Sequence, residues 1–287
     1  MTIEYQEPHL PLAEHQYAVI DRMCVSQLPN DWPVLELVSP MLAPQAHLYP
    51  WLLPLHELPS GEWRTFMAAL SQHSDPHSPP VSCLLLSSNR TPQGLRSALV
   101  GAMYLTDPQH KGHILRYYDP RVLFHLHWML NPWQFSNQLP VQEIPRWTFW
   151  LDGGWYTLEC PERIAFPPGE STSMPLAQLQ RCGQINQALA KLPHSVDIHQ
   201  RQEISRRIDV LLEQATRCQL PTEEDRIAFA LHGLNQREEF WTAPKMVELL
   251  AQARQIPDFY RDETNNWDDS RWLEMTQTQS RNIGWNY

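Results

Sequence analysis

Arg116-Tyr117-Tyr118-Asp119-Pro120-Arg121-Val122-Leu123 joins two kinds of patterning. With Ile114 and Leu115 ahead of it, the left half is bulky, apolar and aromatic, as expected of a strand. The right half starts a helix. Asp119 offers a side-chain oxygen to the free N–H groups of a first turn, and Pro120 suits the first helical position, where its missing N–H costs nothing. The stretch is a strand-to-helix switch with Arg116, Asp119 and Arg121 at the turn. These residues, backed by Tyr117 and Tyr118, could present a charged ridge to a partner. Alternatively, Asp119 caps the helix and pairs with an arginine, locking the corner; on chemistry alone the second reading is the simpler.

Working outward, Val122, Leu123, Leu126 and Leu130 line the helix, which Asn131-Pro132 should end. Upstream, Thr91-Pro92 repeats the cap-plus-proline device before Leu95, Leu99 and Met103. Val81–Leu86 is a nearly continuous apolar run, as in a central buried strand. Downstream, Arg146–Leu151 and Trp155–Glu159 flank Asp152-Gly153-Gly154, a hairpin signal. Tyr17–Asp21 is a short apolar strand. Leu35–Val38 and Trp51–Leu55 are apolar runs broken by Pro40, Pro44, Pro50 and Pro54, so the second should be a short or edge strand. Ser60 is placed to cap a helix from Gly61 to about Ser71 bearing Trp63, Phe66, Met67 and Leu70. Residues 73–80 form a proline- and serine-rich loop. Residues 1–160 are thus an α+β or α/β lobe, a mixed sheet with flanking helices.

A proline-rich bridge, 161–175, leads to a helical lobe, 176–264. Leu176, Leu179, Ile185 and Leu189 mark one helix; Ile204, Ile208, Leu211 and Leu212 a second. Thr222-Glu223-Glu224-Asp225 resembles a capping box ahead of Ile227, Ala230 and Leu231, with Gly233 placed to stop that helix. Met246, Val247, Leu249 and Leu250 line a fourth, begun near Thr242 and Pro244. Short polar loops imply a small antiparallel bundle. The last stretch, 265–287, is polar but holds Trp267, Trp272, Trp285 and Tyr287, either as a tail or as a helix docked by its aromatics.

The 287 residues suit one large or two small domains, and a 42% hydrophobic, 19% charged composition is that of a soluble globular protein. No apolar run approaches the roughly 18–20 residues of a membrane span, and Met1-Thr2-Ile3-Glu4 has no signal-peptide pattern. Cys24, Cys83, Cys160, Cys182 and Cys218 are odd in number and lack CxxC spacing, which argues against disulfides or a zinc ribbon and for the cytosol. A formal net charge of −10 disfavours nucleic acid, whose binding rests on phosphate neutralisation. His125 and His127 point apart on a helix, and His73 and His77 bracket the helix-breaking Asp75-Pro76, so neither pair chelates a metal. There is no Gly-x-Ser-x-Gly elbow, no GxGxxG and no Walker A pattern. No catalytic, cofactor-binding or metal residue is therefore assigned. Paired carboxylates are not legible from sequence, so a hydrolase with its site at the Asp119 corner stays as the alternative.

The run Leu115–Leu123 resembles the signature of the type VI secretion effector adaptors, also called effector chaperones of the Tap/Tec type. Tyr17-Ala18-Val19-Ile20-Asp21, Tyr49-Pro50-Trp51-Leu52-Leu53-Pro54-Leu55, Leu95-Arg96 and Trp147–Trp155 resemble other pieces of that family in order and spacing. So do Asp225–Ala230 and Phe240–Pro244, later in the chain. Tyr117-Tyr118 departs from the family's usual single apolar position. The resemblance implies a non-enzymatic, cytoplasmic adaptor without cofactor. It would bind the N-terminal region of a toxin effector and help load it onto the spike, the VgrG trimer or its PAAR tip. The two lobes would clamp the effector segment, with Arg116, Tyr117, Tyr118, Asp119 and Arg121 as candidate partner-facing residues.

Overall fold

The computed structural model describes residues 5–6, 11–25, 27–73, 75, 78–107, 109–160, 169–192, 197–236 and 239–277. His77, most of the proline-rich bridge, Trp285 and Tyr287 lie outside them. The chain divides into two compact units, Met1–Leu176 and Ala177–Tyr287.

In the first unit the strands are β1 (Tyr5–Gln6), β2 (Tyr17–Ile20), β3 (Leu35–Glu36), β4 (Trp51–Pro54), β5 (Leu84–Ser87), β6 (Tyr104–Thr106), β7 (Gly112–Ile114), β8 (Arg146–Leu151) and β9 (Gly154–Glu159). Helices α1 (Ser60–Gln72), α2 (Pro92–Ala102), α3 (Pro120–Met129) and α4 (Pro132–Gln138) alternate with them. Seven strands form one sheet in the order β1-β9-β8-β5-β2-β4-β3; β6 and β7 form a separate ribbon. Among the described residues every pairing is antiparallel, so of the two classes the sequence allowed the lobe is α+β, with an antiparallel rather than a mixed-direction sheet. The reason is topological. Helix α1 links β4 to β5, which run parallel to each other, but β2 lies between them and is antiparallel to both, giving a split β-α-β unit.

Of the Val81–Leu86 run, Leu84–Leu86 lie in β5, the middle of the seven strands, as continuous hydrophobicity predicts, while Val81–Cys83 precede the strand. The Trp51–Leu55 run takes the first of its two alternatives, short rather than edge. Strand β4 pairs with β2 on one side and β3 on the other, so it is short but internal. Pro50 lies outside β4 and Pro54 is its last residue, so their missing N–H groups fall at its ends, and two-residue β3 is the edge. That edge is closed from α2, where Arg96 donates to the carbonyls of Glu36 at 2.8 Å and Val38 at 3.0 Å.

Both faces of the sheet are buried. Ala18, Ile20, Leu53, Leu85, Trp150 and Trp155 pack with Phe66, Met67 and Leu70 of α1. Tyr17, Val19, Leu52, Leu84, Leu86, Trp147 and Phe149, at the alternate positions, are buried too. The β8–β9 hairpin turns through Asp152 at φ 49° and Gly153 at φ 90°, the two left-handed positions a type I′ turn requires.

Thr91 caps α2, accepting from Gly94 N–H at 3.3 Å, as predicted. Ser60 does not cap α1: it is the first helical residue, Pro59 holds the cap position, and no side chain bonds there. Asn131-Pro132 ends α3 but also opens α4. Asn131 accepts from Gln134 N–H at 2.8 Å, and the Gln134 side chain accepts from Asn131 N–H at 3.0 Å, a reciprocal capping box. The Gln134 amide then donates to the carbonyls of Ser171 and Ser173, tying the described end of the proline-rich bridge to this unit.

The second unit comprises α5 (Leu176–Gln180), α6 (Cys182–Leu189), α7 (Ile198–Arg217), α8 (Glu223–Asn235), α9 (Pro244–Ala253), α10 (Phe259–Thr264) and α11 (Asp269–Thr276). The single helix expected over Leu176–Leu189 is split at Arg181, whose guanidinium bonds the buried Asp209 of α7 at 2.6 Å. Thr222 caps α8, but Asp225 does not complete a capping box. Fully buried, it accepts from the N–H groups of Asp258 at 3.0 Å and Arg261 at 2.9 Å, capping α10 from another helix. Gly233 does not stop α8, which continues to Asn235; a Cβ there would lie 2.5 Å from Leu211 Cδ2, so close helix approach explains the glycine. Helix α11 docks through Trp272, whose ring centroid lies 4.6 Å from that of His232 and 4.8 Å from that of Trp267.

Candidate functional site

The strand ahead of the Arg116–Leu123 stretch stops at Ile114. Residues from Leu115 to Asp119 form a turn, with Asp119 N–H donating to Arg116 C=O at 2.9 Å. Tyr117 and Tyr118 carry strand propensity, but here burial rather than pairing holds them. Tyr117 is fully buried, donates to Leu99 C=O at 2.8 Å, and meets Trp147 edge-on at 5.9 Å. Burial pushes its phenol well above the usual tyrosine range. Tyr118 packs edge-on to Tyr117 at 6.0 Å and is also buried.

Asp119 caps α3 as predicted, accepting from Arg121 N–H at 3.0 Å. The same carboxylate takes the Arg121 guanidinium in a fork, Nε at 3.0 Å and Nη2 at 2.7 Å. Both oxygens are thus occupied by donors within two residues, which leaves Asp119 unsuited to act as a general base. Arg116 does not join it. Its Nη2 lies 3.2 Å from Asp21 Oδ2, and its guanidinium sits 5.5 Å from the Tyr118 ring centroid. Asp21 follows β2, so the corner bridges the end of β2 and the start of α3. Partial burial and the carboxylates of Asp21 and Asp119 hold the Cys24 thiol above its ordinary range. Two arginines and two aspartates balance in charge, but unequally in exposure: the Arg116 and Arg121 side chains are 47% and 60% exposed, those of Asp21 and Asp119 only 19% and 11%. The corner therefore shows guanidinium to solvent.

Of the five singled-out residues, the structure brings Arg116, Asp119 and Arg121 to one corner, with Tyr118 buried beneath the Arg116 guanidinium, and sends Tyr117 into the core. His125 is buried and its Nδ1 accepts from Trp128 Nε1 at 3.2 Å. Among the described residues, no His, Cys, Asp or Glu cluster could hold a metal ion, and no helix is long and apolar enough to cross a membrane.

Sequence reasoning missed the β6–β7 ribbon that leads into the corner. Tyr104 lies opposite Ile114, and both side chains are exposed. The signal was present: alternation through Tyr104-Leu105-Thr106, a turn containing Asp107-Pro108, and Gly112-His113-Ile114. The Asp107 carboxylate organises that turn, accepting from the N–H groups of Gln109 at 3.0 Å and Lys111 at 2.7 Å and facing His113 at 3.0 Å. These contacts hold its carboxyl below the usual range, the His113 bond foremost.

No curated protein and no solved structure matches the chain. Residues 17–137, from β2 through most of α4 with the corner between them, match the family described as "Domain of unknown function (DUF4123)". The family that this stretch matches is known as the type VI secretion effector chaperone and adaptor family.

Proposed function

We propose that this protein is a cytoplasmic adaptor that binds the N-terminal region of a type VI secretion toxin effector and assists its loading onto the VgrG/PAAR spike, without catalysing a reaction. The family match over 17–137 carries the reading, because it spans the Arg116–Arg121 corner and the ribbon beside it. The chemistry of the corner supports it. Asp119, on which the alternative hydrolase would rest, is held by its own helix N-terminus and by Arg121. What faces outward is guanidinium at the corner and the Tyr104 and Ile114 side chains of the ribbon beside it, the composition of a protein-binding surface.

The test is affinity capture of the tagged full chain from its native cytosol, with partners identified by mass spectrometry, followed by a secretion assay in a strain lacking it. Retention of a toxin effector or a spike protein, and loss of that toxin from the secreted fraction, is the expected result. Capture of neither, from cells that fire the apparatus, would refute the reading.

A further inference from the structure

The geometry points to the outer edge of β7 as the docking edge for an extended polypeptide segment, apolar at alternate positions and carrying carboxylates at its ends. This deepens the adaptor reading and rests on it for the identity of the segment as cargo.

Leu115 N–H donates to Met103 C=O at 2.7 Å and Asp107 N–H to Lys111 C=O at 3.0 Å, with Leu105 opposite His113 between them. These are the hydrogen-bonded pairs of an antiparallel ladder, so the intervening pairs, Tyr104 with Ile114 and Thr106 with Gly112, turn their N–H and C=O groups outward. On the β6 side, Tyr104 C=O accepts from Gln138 Nε2 of α4 at 3.2 Å. On the β7 side, the outward groups of Gly112 and Ile114 take no partner among the described residues. The main sheet contrasts with this, because Arg96 occupies the outward carbonyls of its β3 edge. An open edge with unpaired donors and acceptors is a template for another chain.

The flanks of β7 narrow the choice of partner. Tyr104 and Ile114 form a non-hydrogen-bonded pair, the kind whose side chains lie closest, and give the segment's alternate side chains an apolar seat. Lys111 precedes β7 and Arg116 follows it, with no acidic residue between them. The nearest acids in sequence are engaged, Asp107 by His113 and main-chain N–H groups and Asp119 by Arg121, while Arg116 pairs with Asp21 at 3.2 Å yet keeps its side chain 47% exposed. A cation at each end favours a segment that ends in carboxylates. It also disfavours a second copy of this chain, because antiparallel self-pairing would set Lys111 of one copy near Arg116 of the other.

The probe is a labelled synthetic peptide of alternating valine and threonine closed at both ends by glutamates, titrated onto the full chain by fluorescence anisotropy. A lysine-ended version serves for comparison. Ile114→Pro removes an outward N–H without breaking the β6–β7 ladder, and Ile114→Val keeps it. The expected results are binding to the wild type and I114V, with protection of the Gly112 and Ile114 amides from hydrogen exchange. Binding should be about tenfold or more weaker for I114P, and for the lysine-ended peptide on the wild type. If I114P does not fold, Lys111→Glu takes its place, and there the preference between the two peptides should shrink or reverse. No binding to the wild type, equal binding by I114P, or indifference to peptide charge overturns the proposal. So does a wild-type dimer in sedimentation that I114P abolishes, because the edge would then belong to a second copy. Should the peptide behave as expected while the tagged chain captures no effector or spike protein, the adaptor reading falls and the edge stands.

Discussion

Replacing Asp119 separates the corner's contribution to folding from its contribution to binding. Asp119→Ala removes the α3 cap, a loss of about 1 kcal/mol. It also removes the fork to Arg121, and because that guanidinium is 60% exposed the pair is discounted to about 0.5 kcal/mol. The sum, about 1.5 kcal/mol, should lower the melting temperature of the first unit by about 3–6 °C, given its size. Asp119→Asn keeps a competent cap and loses only the charge, so it should cost about 0.5 kcal/mol. Thermal and urea melts of the two variants, run beside effector capture at a temperature where both are folded, give the comparison. Both should still capture cargo. An Asp119→Ala protein that melts with the wild type, or an Asn variant that falls as far as the Ala variant, would refute the capping argument. Full stability with lost capture would make Asp119 a binding residue instead.

Three further outcomes are expected in the second unit. Asp225→Ala orphans the N–H groups of Asp258 and Arg261 in a buried site, and should cost about 3 kcal/mol, with faster exchange of those two amides. Gly233→Ala gains helix propensity of about 1 kcal/mol. Against this, the new Cβ meets Leu211 at Cδ2, Cδ1 and Cγ, so swapping the two methyls cannot relieve it; a net loss of about 1 kcal/mol should appear in urea melts. Burial lowers the His232 pKa from 6.5 to about 4. The neutral ring's contribution is therefore fully present above pH 6.5 and is lost progressively as pH falls towards 4, by up to about 3 kcal/mol. Stability curves of His232→Gln against pH should be flatter over that window, and an unchanged slope would contradict the assignment.

Sequence legibility followed how local the physics is. Thr91-Pro92 and Asp119-Pro120 announced helix starts because a cap and a fixed φ act within one turn. Asp152-Gly153 announced its hairpin for the same reason. Asn131-Pro132 is the same device and was half-read, because a proline that ends one helix can open the next. Misreadings came where a distant residue decides. Pro50 and Pro54 left a short strand or an edge open, and only the partners on both sides decide that β4 is short and internal. Gly233 looked like a stop until Leu211 was placed against it, and Asp225 looked like part of its own helix cap until α10 arrived beside it. At the candidate site, Asp119 and Arg121 were readable as neighbours in sequence, whereas Asp21, which holds Arg116 across 95 positions, was not.

The place of β5 in the sheet bears on how the chain can be divided. The stretch that matches the family stops at residue 137, before β8 and β9. A fragment cut there would leave Leu84, Leu85 and Leu86, all buried in the intact chain, on a bare apolar strand with nothing to pair it on the β8 side. Such an edge recruits other chains, so the fragment should aggregate rather than fold. The stretch that identifies the family is therefore not by itself a folding unit, and the smallest piece expected to stay monomeric runs through the hairpin to Glu159.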